Sequence, residues 1–124
     1  MFRSLYLRIV NVDGYYCITI MNVDQAVKVL DRFEFTTPII LCGGIVACIY
    51  EARLATDDID GEVNAEDLVN LQVFLNKQGI VADLSTDISH WGMVGLPLKY
   101  QSRAQLLTKS IRYLSKVDFI ISKL

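Results

Sequence analysis

The most constraining feature of this chain is an apolar stretch over residues 38–50 that the pair Gly43-Gly44 cuts in two. At about 13 residues it falls short of the roughly 20 needed to cross a bilayer, so a transmembrane reading fails. Ile39-Ile40-Leu41-Cys42 is a continuous apolar run, the pattern of a strand buried on both faces. The glycines end that run, and residues 45–53 resume as a helix. Strand, glycine turn and helix in succession favour an α/β or α+β domain, a small mixed sheet flanked by helices, over a bundle or barrel.

The flanking segments agree with that class. Residues 5–21 read as two short strands around Asn11-Val12-Asp13-Gly14, where Asp-Gly supplies the positive φ angles of a tight hairpin. Val23, Ala26, Val27, Leu30 and Phe33 fall at helical spacing, with Asn22 or Asp24 as the cap. Residues 56–61 read as a second strand, with Ile59 pointing one way and Asp58 and Asp60 the other. Asn64 and Asp67 resemble a capping arrangement for a helix through Gln78, which Gly79 stops. Residues 80–84 read as a strand, 87–103 as a long loop with Gly92, Gly95 and Pro97, and 110–114 as a final strand. Ser115-x-x-Asp118 opens a last helix.

Composition limits the function. The 124 residues make one domain, and 52% of them are hydrophobic, an excess that marks a buried sheet, or a face covered by another chain or by a missing segment. A net charge of −2 argues against a broad nucleic-acid surface, leaving only a small basic patch at Lys99, Arg103, Lys109 and Arg112. Cys17, Cys42 and Cys48 are widely spaced and odd in number, which predicts reduced thiols in the cytoplasm rather than disulfides or a metal site. No secretory signal is legible, and the terminal Ser122-Lys123-Leu124 reads as part of an apolar pattern rather than as a peroxisomal address.

The chemistry-bearing candidates are few. Asp58 and Asp60 are two residues apart on a predicted strand, so both carboxylates project from one face, the arrangement that holds Mg²⁺ beside a phosphate. Gly43-Gly44 at the end of a buried strand can bring backbone N–H groups toward a phosphate. Taken alone, Asp57-Asp58-Ile59-Asp60-Gly61 is more simply a solvated acidic loop, and Gly-Gly simply a turn. His90, the only histidine, is a candidate base against a surface role. Arg53 is a candidate phosphate contact against a helix-terminal residue facing the C-terminal dipole. Tyr15, Tyr16, Tyr50, Tyr100 and Tyr113 read as core or interface residues.

The two elements together carry more than either does alone. Leu41-Cys42-Gly43-Gly44-Ile45-Val46-Ala47 followed by Arg53-Leu54-Ala55-Thr56-Asp57-Asp58-Ile59-Asp60 resembles the signature of the minimal nucleotidyltransferase (DNA polymerase beta-like) superfamily. The Arg and Thr before Asp-Ile-Asp are similar to a branch found among bacterial toxin–antitoxin and abortive-infection proteins. Downstream, Leu96-Pro97-Leu98-Lys99-Tyr100-Gln101-Ser102-Arg103 resembles a Leu-Pro, aromatic and Arg segment of that branch, and residues 117–124 resemble the start of its helix ending in Lys-Leu. The resemblance covers roughly residues 24–124. It leaves residues 1–21 as an extension, and the helix expected after Lys123 is missing, so the chain is truncated there or completes its fold through a partner.

The resemblance implies transfer of a nucleoside monophosphate from a nucleoside triphosphate to a hydroxyl on RNA, protein or a small molecule, with Mg²⁺ or Mn²⁺ as cofactor. Asp58 and Asp60 would hold the metal, Gly43, Gly44 and Arg53 the nucleotide. A third carboxylate is expected on a later strand between apolar residues, which Asp83 in Ala82-Asp83-Leu84 matches, with Asp87 as the competitor. The alternative is a catalytically degenerate copy that serves as an antitoxin-like or regulatory interaction protein, partnered by another protein or by itself.

Overall fold

The hairpin expected near the N-terminus forms: β1 (Leu7–Val12) pairs antiparallel with β2 (Tyr15–Ile20) as a separate two-stranded sheet. The computed structural model describes the backbone of residues 7–12 and 15–124 and the side chains of residues 20–124; the Asp13-Gly14 turn and the side chains of Tyr15, Tyr16 and Cys17 lie outside them. After β2, Met21 is 1% exposed and exchanges both backbone hydrogen bonds with Thr56, at 2.8 and 2.9 Å, which ties this end of the chain to the segment entering the candidate site.

Helix α1 (Val23–Leu30) starts with a full capping box, in which the Asn22 side chain accepts from the Gln25 N–H and the Gln25 side chain accepts from the Asn22 N–H, both at 2.9 Å. Asn22, not Asp24, is therefore the cap. Then come β3 (Ile39–Cys42), α2 (Gly44–Ile49), β4 (Asp58–Glu62), α3 (Ala65–Lys77) and β5 (Val81–Ser85). The chain closes with α4 (Tyr100–Arg103), β6 (Gln105–Thr108), β7 (Ile111–Tyr113) and α5 (Lys116–Ser122).

Five strands make one mixed sheet in the order β5-β4-β3-β7-β6. β3 runs antiparallel to β4 and parallel to β7, while β4 and β5 are parallel neighbours joined through α3. The fold is thus α+β. Strand alternation sorts residues between two faces. Ile39, Leu41, Ile59 and Ile111 turn to one face and are no more than 1% exposed, as are Leu71 and Leu75 of α3. The other face carries Ile40, Cys42, Asp58, Asp60, Glu62 and Asp83, which the pairings Ile40 with Glu62, Cys42 with Asp60 and Asp60 with Asp83 place in adjacent rows.

Three local expectations need correction. Helix α2 stops at Ile49 rather than reaching Arg53, because Glu51 takes a left-handed φ of 63° and the Ala52 N–H turns back to the Ala47 carbonyl at 2.8 Å. Arg53 therefore does not cap a helix dipole. The loop after β5 contains the short α4, and β6 is an added strand whose identity comes from pairing with β7. Tyr100 is buried and Tyr50 and Tyr113 are half-buried, in keeping with core roles.

The last helix is anchored by Asp118, which is 1% exposed. Its N–H donates to Ser115 Oγ at 3.2 Å, and Arg103 reaches its carboxylate through Nε at 2.9 Å and Nη2 at 3.0 Å. Burial alone would raise this carboxyl, but the Arg103 and Ser115 hydrogen bonds and the Arg103 charge hold it below the usual range. A depressed carboxylate contributes stability above its unfolded value that is lost as pH falls through the folded one. Asp118→Ala keeps the backbone cap bond to Ser115 but removes the carboxylate that Arg103 and the Ser115 hydroxyl donate to, an expected loss of about 2 kcal/mol, below the range for fully buried pairs because Arg103 is half-exposed and keeps its bonds to the Leu98 and Pro97 carbonyls. Thermal melts at pH 7 should fall by roughly 5–10 °C, with the gap to the natural chain closing in acid.

Candidate functional site

Each glycine of the pair is required by a close approach. Gly43 has φ +70°, and a Cβ there would stand 2.1 Å from Asp60 Oδ2. A Cβ on Gly44 would stand 2.8 Å from Thr56 Oγ1 and 2.7 Å from Arg53 Nη1. The turn after β3 is thus pressed against β4 and the segment that leads into it. Gly43 also offers no side-chain cap to α2; its carbonyl accepts from the Val46 and Ala47 N–H groups at 3.1 and 3.2 Å, which leaves those of Gly44 and Ile45 without an intrahelical acceptor.

Asp58 and Asp60 share one face of β4, and Asp60 is the register partner of Asp83 on parallel β5. Paired residues on neighbouring strands are about 4.8 Å apart along the hydrogen-bonding direction, so the two backbones set these carboxylates side by side. The Asp58 carboxylate accepts from Thr56 Oγ1 at 3.2 Å, and the Thr56 hydroxyl also reaches the Asp58 carbonyl at 3.3 Å. Among the described residues, the side chains of Asp60 and Asp83 accept no hydrogen bond and form no ion pair. Burial first, and then the charges of Asp58 and Asp83, push Asp60 up to about 7, with Lys123 opposing.

That shift has a sign for stability. A carboxyl raised above its unfolded value stabilises most at low pH, and this contribution disappears as pH rises through the folded value near 7. Without divalent metal, the natural chain should lose melting temperature between pH 5 and pH 8. Asp60→Asn, which mimics the protonated acid, should lose less over the same interval. Equal pH profiles for the two proteins would show that Asp60 carries no such burden.

Asp60 and Asp83 border a cleft of about 460 Å³ with Cys42, Gly43, Ile88, Trp91, Leu96, Leu114 and Lys123 around it. Asp58 does not line it; its carboxylate is held by Thr56, against which Gly44 packs. The competitor Asp87 is turned elsewhere: its Oδ1 accepts from the Ser89 N–H at 2.8 Å and from Tyr100 Oη at 3.4 Å. Those bonds, led by Ser89, hold its carboxyl below the usual range. Arg53 is exposed beside Gly44 and lines a different, shallow cleft with Asn22, Asp24, Cys48 and Glu51. His90 is exposed, with Nδ1 3.2 Å from Ser89 Oγ. Burial pushes the Cys42 thiol far up, so it is no nucleophile at neutral pH.

Three side chains that sequence reasoning did not single out shape the site. Glu62 continues the Asp58, Asp60 row, but it is buried under the loop and accepts from Tyr100 Oη and, at 3.1 Å, from the Ile88 N–H. Its spacing of two from Asp60 was the available signal. Thr56 orients Asp58 from just ahead of the strand. Lys123, at the C-cap of α5, is the cation nearest in charge effect to Asp60. Nothing local in sequence ties it to β4.

The donor chemistry fits a hard divalent cation in part. Among the described residues, no three His, Cys, Asp or Glu side chains form a ready-made metal cage. Mg²⁺, however, is ordinarily held by one or two carboxylates plus waters and substrate phosphates. Asp58 and Asp60 on β4 would supply that number of ligands without a cage, with Asp83 on the adjacent strand beside Asp60.

Comparison with family models, with curated proteins and with solved structures returned no match.

Proposed function

We propose that this chain is a metal-dependent nucleotidyltransferase of the minimal, DNA polymerase beta-like type, moving a nucleoside monophosphate from a nucleoside triphosphate to a hydroxyl. The observation that carries the reading is the contact of the glycine turn with the carboxylate row: Gly43 against Asp60, and Gly44 against Thr56, which holds Asp58. A solvated acidic turn has no reason to lie on a glycine pair twelve or more residues upstream.

In this reading Asp58, Asp60 and Asp83 hold Mg²⁺ or Mn²⁺, which would supply positive charge to the triphosphate oxygens. Gly43 and Gly44 let the nucleotide approach the backbone, and the N–H groups of Gly44 and Ile45 can donate to phosphate oxygens. Lys123 offers a further cation on the wall of the cleft. Arg53 is kept as a contact for the nucleotide on the Gly44 side. Asp87 is set aside as the third carboxylate because Ser89 and Tyr100 already engage it. RNA, protein and small-molecule hydroxyls remain the acceptor classes.

A ligand that binds only the folded state raises the melting temperature by mass action. Mg²⁺ with ATP or GTP should therefore stabilise the natural chain, and Asp58→Asn should remove that gain while keeping the unliganded melt. No stabilisation by either nucleotide would favour the second reading, a degenerate domain used for interaction. Two observations speak for that reading: the lack of a metal cage among the described residues, and the exposure of Met93, Leu98, Val117, Ile120 and Leu124, each more than half exposed.

A further inference from the structure

Trp91 is the only tryptophan of the chain, and it stands half-buried on the wall of the cleft bordered by Asp60 and Asp83. The backbone around it is fixed. The Trp91 N–H donates to the Ile88 carbonyl at 3.0 Å, and the Leu96 N–H closes the segment onto the Ser89 carbonyl at 2.7 Å. Gly92, with φ +85°, runs so close to α5 that a Cβ would stand 2.5 Å from the Ser122 carbonyl oxygen, and the Met93 N–H donates to the Leu124 carbonyl at 3.1 Å. The indole is thus presented from a strapped loop rather than from a free one.

The cleft is mixed in character: Asp60, Asp83 and Lys123 are charged, whereas Ile88, Trp91, Leu96 and Leu114 are apolar. Its volume of about 460 Å³ lies within the range of small-molecule sites. Metal and phosphate would use the charged residues alone. Trp91 packs in part against the core, but a purely structural tryptophan would also satisfy its N–H, whereas this residue lines the cleft and its indole N–H has no partner among the described residues.

We propose that Trp91, with Leu96 beside it, receives the base of a nucleoside triphosphate whose phosphates lie toward Gly43, Asp60 and Asp83. The assignment rests on the nucleotidyltransferase reading and adds to it the residue that separates a nucleotide from a bare polyphosphate. Aromatic stacking accepts any base, since every base has a π face, and a two-ring base covers more of the indole. Purine triphosphates should therefore bind more tightly than pyrimidine ones.

The lone tryptophan makes the test direct. With Mg²⁺ present, the natural protein is titrated with a non-hydrolysable ATP analogue and, separately, with inorganic tripolyphosphate, following indole fluorescence and binding heat. The expected result is binding of both, with a fluorescence change for the ATP analogue only. Trp91→Ala should weaken the ATP analogue about 5- to 100-fold, the usual range for loss of a stacked base, and leave tripolyphosphate unchanged. Trp91→Phe should keep most of the ATP affinity. An identical fluorescence response to both ligands, or unchanged ATP affinity in Trp91→Ala, overturns the proposal while leaving the phosphate site standing. If neither ligand binds the natural protein, the nucleotidyltransferase reading falls and the proposal with it. Should Trp91→Ala fail to fold, the fluorescence comparison on the natural protein decides alone.

Discussion

Gly43→Ala is expected to cost about 3 kcal/mol, and it should do so through Asp60. Gly43 has φ 70° and ψ −149°, a region open essentially to glycine, where a side chain costs roughly 1–3 kcal/mol in backbone strain. The added methyl would also meet Asp60 Oδ2 at 2.1 Å and its Cγ at 2.9 Å, far inside contact distance. Either the turn shifts or the carboxylate is driven out of the row. Thermal melts should fall by roughly 10 °C or more for a domain of this size. The two contributions separate in a double-mutant cycle, because Asp60→Ala removes the clash and leaves the strain. Gly43→Ala should be about 1 kcal/mol or more milder in that background. Strict additivity would mean that strain alone demands the glycine and that the contact with Asp60 is incidental.

Asp60→Asn should have the opposite profile, a stable protein with little activity. Asparagine keeps the shape of the carboxyl and removes its charge from a site where Asp58 and Asp83 already crowd it. The unliganded fold therefore loses nothing at neutral pH. A metal ligand, by contrast, is lost, and since disruption of even the outer partners of a metal site costs 10–100-fold, turnover should drop by at least about 100-fold. The assay is pyrophosphate release from a nucleoside triphosphate in the presence of Mg²⁺ and hydroxyl acceptors. Asp87→Asn, as the comparison, should leave turnover near that of the natural chain. Full activity in Asp60→Asn, or a loss only in Asp87→Asn, would sink the assignment of the carboxylate row.

How far the sequence reached depends on whether each feature is local. The β3 run and the glycine turn were legible because four apolar residues before Gly-Gly leave the chain few alternatives. The caps at Asn22, Asn64 and Ser115 were legible for the same reason, since each is a short-range hydrogen bond written in neighbouring residues. The end of α2 was not, because it turns on Glu51 entering a left-handed conformation that its residue type does not announce. Strand β6 was not, because Gln105-Leu106-Leu107-Thr108 becomes a strand only by pairing with β7.

The same division runs through the site. Asp58 and Asp60 share a face by strand periodicity alone. Asp83 is expected from its apolar neighbours, but its place beside Asp60 follows from the register of β5 on β4, a long-range pairing that composition does not encode. Trp91 and Lys123 reach the cleft only because the Gly92 backbone rests on α5, so their proximity to Asp60 is a property of the packed chain.

The most direct measurement is a crystal of the chain with Mn²⁺ or Mg²⁺ and a non-hydrolysable nucleoside triphosphate, with the metal located by its anomalous signal where Mn²⁺ is used. The account predicts metal between Asp58 and Asp60, with Asp83 drawn toward it and phosphates beside Gly43 and Gly44. Metal or nucleotide bound elsewhere, or an empty carboxylate row at saturating ligand, would contradict it.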